Sequence, residues 1–290
     1  MPMKLLVTGA NGQLGRELRY LLDDDSRFEV IYTDVAELDI TRQADVDACV
    51  SSHRLDYIVN CAAYTAVDRA EDDEPAAMRL NAHAVEVLAT AAARHGVRMV
   101  HVSTDYVFDG ESCVPYNEED APHPLSAYGR TKWAGERALL SILPQQSIIF
   151  RTAWLYSPHG KNFVKTMLDL GKTCDVLKVV YDQVGNPTSA IDLARAIVTA
   201  ITYPTWHPGI YHFGNEGAVS WYDFTKAILR LAGIITCNVQ PCRSDEYPAK
   251  AHRPKYSVFD KSKYKTTFQA TVPYWIDSLT SCLERLNELK

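Results

Sequence analysis

The chain has 290 residues, 47% of them hydrophobic and 23% charged, with a formal net charge of −6. This composition fills a sizeable core and argues against disorder, wholesale nucleic-acid binding or attraction to a membrane surface. The seven cysteines are scattered without a C-x-x-C pair, which predicts reduced thiols, a cytoplasmic location and no zinc site, and no apolar run approaches the roughly 18 residues of a membrane span.

Short β-rich runs alternate with helical patterns through the first 200 or so residues. The candidate strands are KLLVT (4–8), EVIYT (29–33), YIVN (57–60), RMVHVS (98–103), SIIFRT (147–152) and LKVVY (177–181). Nearly continuous Val, Ile, Leu and Tyr is the mark of strands covered on both faces. Leu14, Leu18, Leu21 and Leu22 form one helical stripe; Met78, Val85, Leu88, Ala89 and Ala92 form a second, which Gly96 can end. Strand–helix alternation predicts an α/β fold: a Rossmann-like, doubly wound parallel sheet. Beyond residue 203 the rhythm changes. GIYHF (209–213) reads as a strand, SWYDFTKAILRLAG opens with a Ser220–Asp223 capping pair, and an amphipathic helix follows Pro273. We expect a dinucleotide-binding domain over 1–152, rejoined by 177–203, and a smaller α/β C-terminal substrate lobe from 153–176 and 204–290.

TGANGQLG (8–15) lies between the first strand and the first helix. Gly9 permits a tight turn, Gly12 lets the backbone approach a diphosphate, and Gly15 lets the helix pack on the sheet. The helix N-terminus adds free N–H groups and partial positive charge for phosphates. Glycine spacing alone is weak, but this is the context that a dinucleotide site requires. Asn11, Gln13 and Leu14 belong to the same turn. Asp34 follows the second strand, where an acid bonds ribose hydroxyls and favours NAD(H), whereas Arg16 would welcome a 2′-phosphate. Asp39 and Ile40, and Ala62, Ala63 and Tyr64 after the third strand, are further candidates for the cofactor pocket.

SAYGRTKWAGE (126–136) sets Tyr128 and Lys132 four residues apart. On a helix they share a face. Bringing a phenol from about 10 to near 7 takes roughly 4 kcal/mol of differential stabilisation, which an adjacent ammonium supplies. The pair therefore suits acid catalysis during hydride transfer to a carbonyl. A Y-x-x-x-K pair is common by itself. Its weight here comes from the glycine turn and from STDYVFDG (103–110), which puts Thr104 at the carboxyl edge of the sheet, able to donate to a carbonyl oxygen.

TGANGQLG, STDYVFDG, YGRTK (128–132) and DQVGNPT (182–188) together resemble the extended short-chain dehydrogenase/reductases, and more narrowly the dTDP-4-dehydrorhamnose reductases. NCAAYTAVDRAE (60–71), RTAWLYS (151–157) and HRPKYSVFD (252–260) extend the resemblance nearly end to end. It implies Thr104, Tyr128 and Lys132 as catalytic residues, with Tyr128 protonating the sugar C4 oxygen. It implies substrate contacts from Thr104, Asp105 and Trp154, and from Arg253 to the nucleotide diphosphate. It further implies NADPH or NADH as cofactor, a nucleotide-sugar substrate, and a homodimer aided by Mg²⁺, for which no ligands can be placed. Cys61 departs from the small residue usual before AAYT. Two other readings stay open: a regulatory subunit of the methionine adenosyltransferase type, against which the intact Thr104, Tyr128 and Lys132 stand, and a sugar-nucleotide dehydratase or epimerase. Dehydratases carry T-D-E where this chain has Thr104-Asp105-Tyr106.

Overall fold

All seven strands expected from their branched and aromatic runs form within a residue or so of where the sequence places them. A computed structural model describes residues 1–289. The first half runs β1 (Met3–Thr8), α1 (Gln13–Leu22), β2 (Phe28–Thr33), α2 (Gln43–His53), β3 (Tyr57–Asn60), α3 (Val67–Ala70), α4 (Glu74–Met78), α5 (Ala84–His95), β4 (Arg98–Thr104), α6 (Ala127–Ile142) and β5 (Ser147–Thr152). The second half runs β6 (Leu155–Tyr156), α7 (Phe163–Thr173), β7 (Val176–Val180), β8 (Val184–Gly185), β9 (Thr188–Ser189), α8 (Ala190–Thr202), β10 (Gly209–His212), β11 (Val219–Ser220), α9 (Trp221–Leu231), β12 (Asn238–Cys242), α10 (Ser262–Phe268) and α11 (Trp275–Glu288).

The large sheet has six parallel strands in the order β10-β5-β4-β3-β1-β2. Every residue of β3 and β5 is buried, as continuous apolar strands require when helices cover both faces. On one face Leu14, Leu18 and Leu22 of α1 meet Leu193, Ile197 and Ile201 of α8. On the other, Val46 and Val50 of α2 pack with Val85 and Leu88 of α5 and Leu139 of α6. A third cluster holds the second lobe together, with Val164 and Leu168 of α7, Phe224 and Ile228 of α9 and Leu279 and Leu283 of α11. The Ser220–Asp223 capping box forms as the sequence suggests: Ser220 Oγ accepts the Asp223 N–H at 3.0 Å while Asp223 Oδ2 accepts the Ser220 N–H at 3.1 Å.

Two segments exchange places relative to the expected boundaries. The run at 177–181 does not join the large sheet; β7 pairs with β12, from Val176↔Asn238 to Val180↔Cys242. Only its last two residues are buried, so it is a strand of the smaller lobe with one end in solvent. GIYH instead forms β10, the sixth strand of the large sheet, with Tyr211 buried near Phe150. Of 177–203, α8 alone covers the large sheet, and 204–290 returns β10 and α10 to it, through Tyr264 and Phe268. The second helical stripe is also interrupted. A π-helical turn, Arg79–His83, joins α4 to α5, which leaves Met78 exposed and turns Asn81 inward.

Candidate active site

β1 and β3 are neighbours in the sheet although β2 lies between them in sequence, so the loops leaving their carboxyl ends diverge over a crevice. There Gly9 has φ +64°, and a Cβ on it would lie 2.7 Å from the Ala62 backbone nitrogen. Only glycine lets the two loops cross this closely. Gly12 is the N-cap of α1, with no side chain capping the free N–H groups. A Cβ on Gly15 would lie 2.5 Å from Ala10 Cα, so Gly15 packs helix against turn and does not face the crevice.

The crevice opens into a cavity of about 700 Å³. Of the residues singled out by sequence, Gly9, Gly12, Gln13, Leu14, Asp34, Asp39, Ile40, Ala62, Ala63, Thr104, Asp105, Tyr128, Lys132 and Trp154 line it. Asn11, Gly15, Tyr64 and Arg253 do not. Asn11 sits at the rim, where its N–H donates to Asp34 Oδ2 at 3.1 Å and its carbonyl accepts from Arg16 Nε at 3.1 Å. The acid and the base relevant to a ribose or a 2′-phosphate thus bind the N–H and the C=O of the same residue. Tyr64 is held by its backbone instead: its N–H donates to Asn81 Oδ1 at 2.8 Å and its carbonyl accepts from Asn81 Nδ2 at 3.1 Å. Asn81 Nδ2 also donates to Thr131 Oγ1 at 3.1 Å, tying the loop after β3 to α6.

Ser126 caps α6 by accepting the Gly129 N–H at 3.1 Å, so Tyr128 and Lys132 lie one turn apart on the first turns of that helix. Both are buried. The phenol does not behave as the spacing suggests. Burial raises the Tyr128 pKa above that of an ordinary phenol, with Asp105 and Tyr106 adding to the rise and a hydrogen bond with Thr104 opposing it. The lysine head is drawn elsewhere: Lys132 Nζ donates to the Val102 carbonyl at 2.6 Å and lies 3.4 Å from His101 Nε2. Burial lowers Lys132 to about 8, against the pull of Glu136. In this environment Tyr128 is a protonated acid at neutral pH.

Thr104 ends β4, donates to Asp105 Oδ1 at 3.1 Å and accepts the Tyr106 N–H at 3.2 Å. Burial pushes the Asp105 carboxyl up to about 6, against hydrogen bonds from Ser257 and Thr104. Its Oδ2, Ser103 Oγ and Thr152 Oγ1 are buried without a hydrogen-bond partner among the described residues, and all three residues line the cavity. Orphaned polar atoms around a glycine-floored crevice suit a polar, phosphate-bearing ligand. At the far wall Trp154 adopts φ +49° and stacks on Trp221 of α9, with centroids 3.4 Å apart and planes 7° from parallel. Arg253 lies beside the cavity, ion-paired with Asp68 at 2.7 Å, with Nη1 3.4 Å from the hydroxyl of Tyr106, a lining residue.

Sequence reasoning missed Gly160, Lys161 and Asn162, which close the cavity from the second lobe. Asn162 caps α7 and its Nδ2 donates to Gln13 Oε1 at 2.9 Å, across 149 residues of chain. Lys161 is exposed, forms no ion pair among the described residues and lines the cavity beside Gly160 and Asn162. Asparagine is a residue type favoured at helix N-termini, but nothing local ties Asn162 to the glycine turn. Among the described residues no group of three or more His, Cys, Asp or Glu is placed to hold a metal ion, and no helix is long and apolar enough to cross a membrane.

Residues 3–288 match the family described as RmlD substrate binding domain. The dTDP-4-dehydrorhamnose reductase of Aggregatibacter actinomycetemcomitans is 44% identical over 281 residues, covering 94% of this chain and 95% of that one. A crystal structure of a dTDP-4-dehydrorhamnose reductase from Clostridium acetobutylicum superposes with a TM-score of 0.94 at 46% identity, covering 98% of this chain and all of the other. The dTDP-4-dehydrorhamnose reductase of Bacillus anthracis, solved in complex with NADP, superposes with a TM-score of 0.94 at 37% identity over 98% of this chain and 100% of that one.

Proposed function

Because this chain belongs to the RmlD substrate binding domain family, we propose that it reduces the C4 ketone of dTDP-4-dehydrorhamnose to give dTDP-L-rhamnose, with NADPH or NADH as reductant. The observation that carries this reading is the convergence of Thr104, Tyr128 and Lys132 on one cavity floored by Gly9 and Gly12. Bound there, the nicotinamide supplies the hydride that converts the ketone carbon to an alcohol carbon. Gly12, Gln13 and the free N–H groups of α1 hold its diphosphate, with Asp34 at the adenosine ribose and Ala62 and Ala63 along its length. Asp34 and Arg16, joined through Asn11, serve either form of the adenosine ribose.

The chain's own groups handle the sugar. Thr104 and Tyr128 receive the ketone oxygen with their hydroxyls, where negative charge develops. Tyr128, kept protonated by burial, donates its proton to that oxygen as the C4–H bond forms. Lys132 then stabilises the phenolate left behind and positions the nicotinamide ribose. Asp105 bonds a sugar hydroxyl through its free Oδ2, Trp154 forms a wall against the sugar, and Arg253 exchanges Asp68 for the nucleotide diphosphate. As part of this reading the enzyme works in the cytoplasm as a homodimer, with any Mg²⁺ at the interface between the copies. Loss of 340 nm absorbance should depend on the keto-sugar nucleotide. Tyr128→Phe should lower kcat by about 10²- to 10⁴-fold while cofactor affinity stays within about twofold. Unimpaired turnover in that variant would remove Tyr128 from its role, and NMR of the product identifies the sugar.

A further inference from the structure

A string of buried polar groups runs from the wall of the cavity to Lys132, and the reduction above leaves two of its members, Asn60 and His101, unused. The Thr8 hydroxyl donates to Asn60 Oδ1 at 2.7 Å, and the Ala62 backbone N–H donates to the same oxygen at 3.1 Å. Asn60 Nδ2 stands 3.1 Å from His101 Nδ1, and His101 Nε2 stands 3.4 Å from Lys132 Nζ. Thr8, Asn60, His101 and Lys132 are all buried, His101 completely, and His101 does not line the cavity.

Donors in this string outnumber acceptors whenever Lys132 is charged. A backbone N–H only donates, so Ala62 turns the Asn60 oxygen toward itself and the Asn60 amide toward His101. Nδ1 of His101 must then accept, which leaves the single proton of a neutral imidazole on Nε2, facing the lysine. An ammonium there meets an N–H, whereas an amine accepts it through its lone pair. Moving the imidazole proton to Nδ1 shifts the collision to Asn60, and turning the Asn60 amide shifts it to Ala62. Ionising His101 would add a further donor, and burial together with the Lys132 charge holds the imidazole neutral. Two further titratable groups near Lys132 are on its own helix, and Arg151 of β5 stands behind one of them. Tyr128 lies one turn before it, and Glu136, one turn on, is locked to Arg151 of β5 at 2.7 Å. Glu136 favours the ammonium; the Asn60–His101 string opposes it.

We propose that Asn60 and His101 are positioning residues for Lys132: they set its head beside the Val102 carbonyl and ease the loss of its proton. This rests on the reductase reading for its kinetic readout alone. In the full chain, kcat/KM for the cofactor falls on the alkaline side as Lys132 loses its charge. His101→Leu removes the facing N–H, and Asn60→Asp replaces the surplus donor with an acceptor. Each should move the alkaline limb upward by about one pH unit, a tenfold gain in the proton affinity of Lys132. A fall in rate at every pH with the limb unmoved would reduce the pair to packing and overturn the proposal. Labelled-histidine NMR of the unmodified protein, with the His101 signal assigned by its loss in His101→Leu, gives a readout free of turnover. We expect a neutral His101 with its proton on Nε2 above the alkaline limb. A proton on Nδ1 there, or an imidazolium near pH 7, overturns the proposal. Absent turnover with the expected tautomer would count against the reductase reading and leave this one standing.

Discussion

Asp105→Asn removes a buried charge and nothing else of its size. Asp105 is 3% exposed, and burial carries its carboxyl from an ordinary 3.8 to about 6. An acid whose folded pKa lies above its unfolded value binds its proton more tightly when folded, so stability falls as pH rises from the unfolded pKa to the folded one. Across a rise of about two pH units the cost approaches roughly 3 kcal/mol, present in full above about pH 6 and nearly absent at pH 4. The amide keeps an oxygen for the Thr104 hydroxyl, but its NH₂ takes the place of Oδ2, which has no partner. That unmet donor costs about 1–3 kcal/mol, independent of pH. The variant should therefore gain on the parent by about 2 kcal/mol between pH 4 and pH 8, whatever its absolute offset, and should lose affinity for the sugar nucleotide. Urea unfolding followed by tryptophan fluorescence at both pH values measures the difference. A stability difference that does not change with pH would refute the burial argument for Asp105.

Three further outcomes follow from named contacts. Lys161→Ala should weaken NADPH and NADH alike by about tenfold, as loss of one charge-assisted phosphate contact does, with kcat unchanged. Titration of both cofactors checks it, and a selective loss of NADPH would move Lys161 to the 2′-phosphate. Glu136→Ala leaves the Arg151 guanidinium, 2% exposed, without its carboxylate and should cost about 3–5 kcal/mol, read from chemical denaturation. Gly15→Ala puts a Cβ 2.5 Å from Ala10 Cα and must part helix from turn. A loss of about 1–3 kcal/mol together with weaker cofactor binding is expected in melting and titration.

Much of the site could be read locally because its chemistry is local. The glycine turn needs a strand before it and a helix after it, and one stretch of chain shows all three. Tyr128 and Lys132 share a helix face by spacing alone, and Thr104 ends a run of strand residues. What misled was electrostatics. The spacing implied an acidified phenol, but burial raises the Tyr128 pKa, and the Lys132 head donates to the Val102 carbonyl. Asn81 was invisible for a similar reason: an asparagine amid helical residues reads as neutral until a π turn aims it at the Tyr64 backbone.

By itself, the order of residues determined which segments become strands, where Gly96 and Ser220 bound their helices and which turn is open enough for a diphosphate. These depend on backbone conformation and on apolar periodicity, which act over a few residues. Tertiary structure decided that β10 and not β7 completes the large sheet, that Lys161 and Asn162 close the cavity from another lobe, and that His101 faces Lys132. Each of those outcomes depends on which distant surfaces are desolvated together. A buried amine feels the neighbours that packing brings within a few ångströms, however far away they lie along the chain.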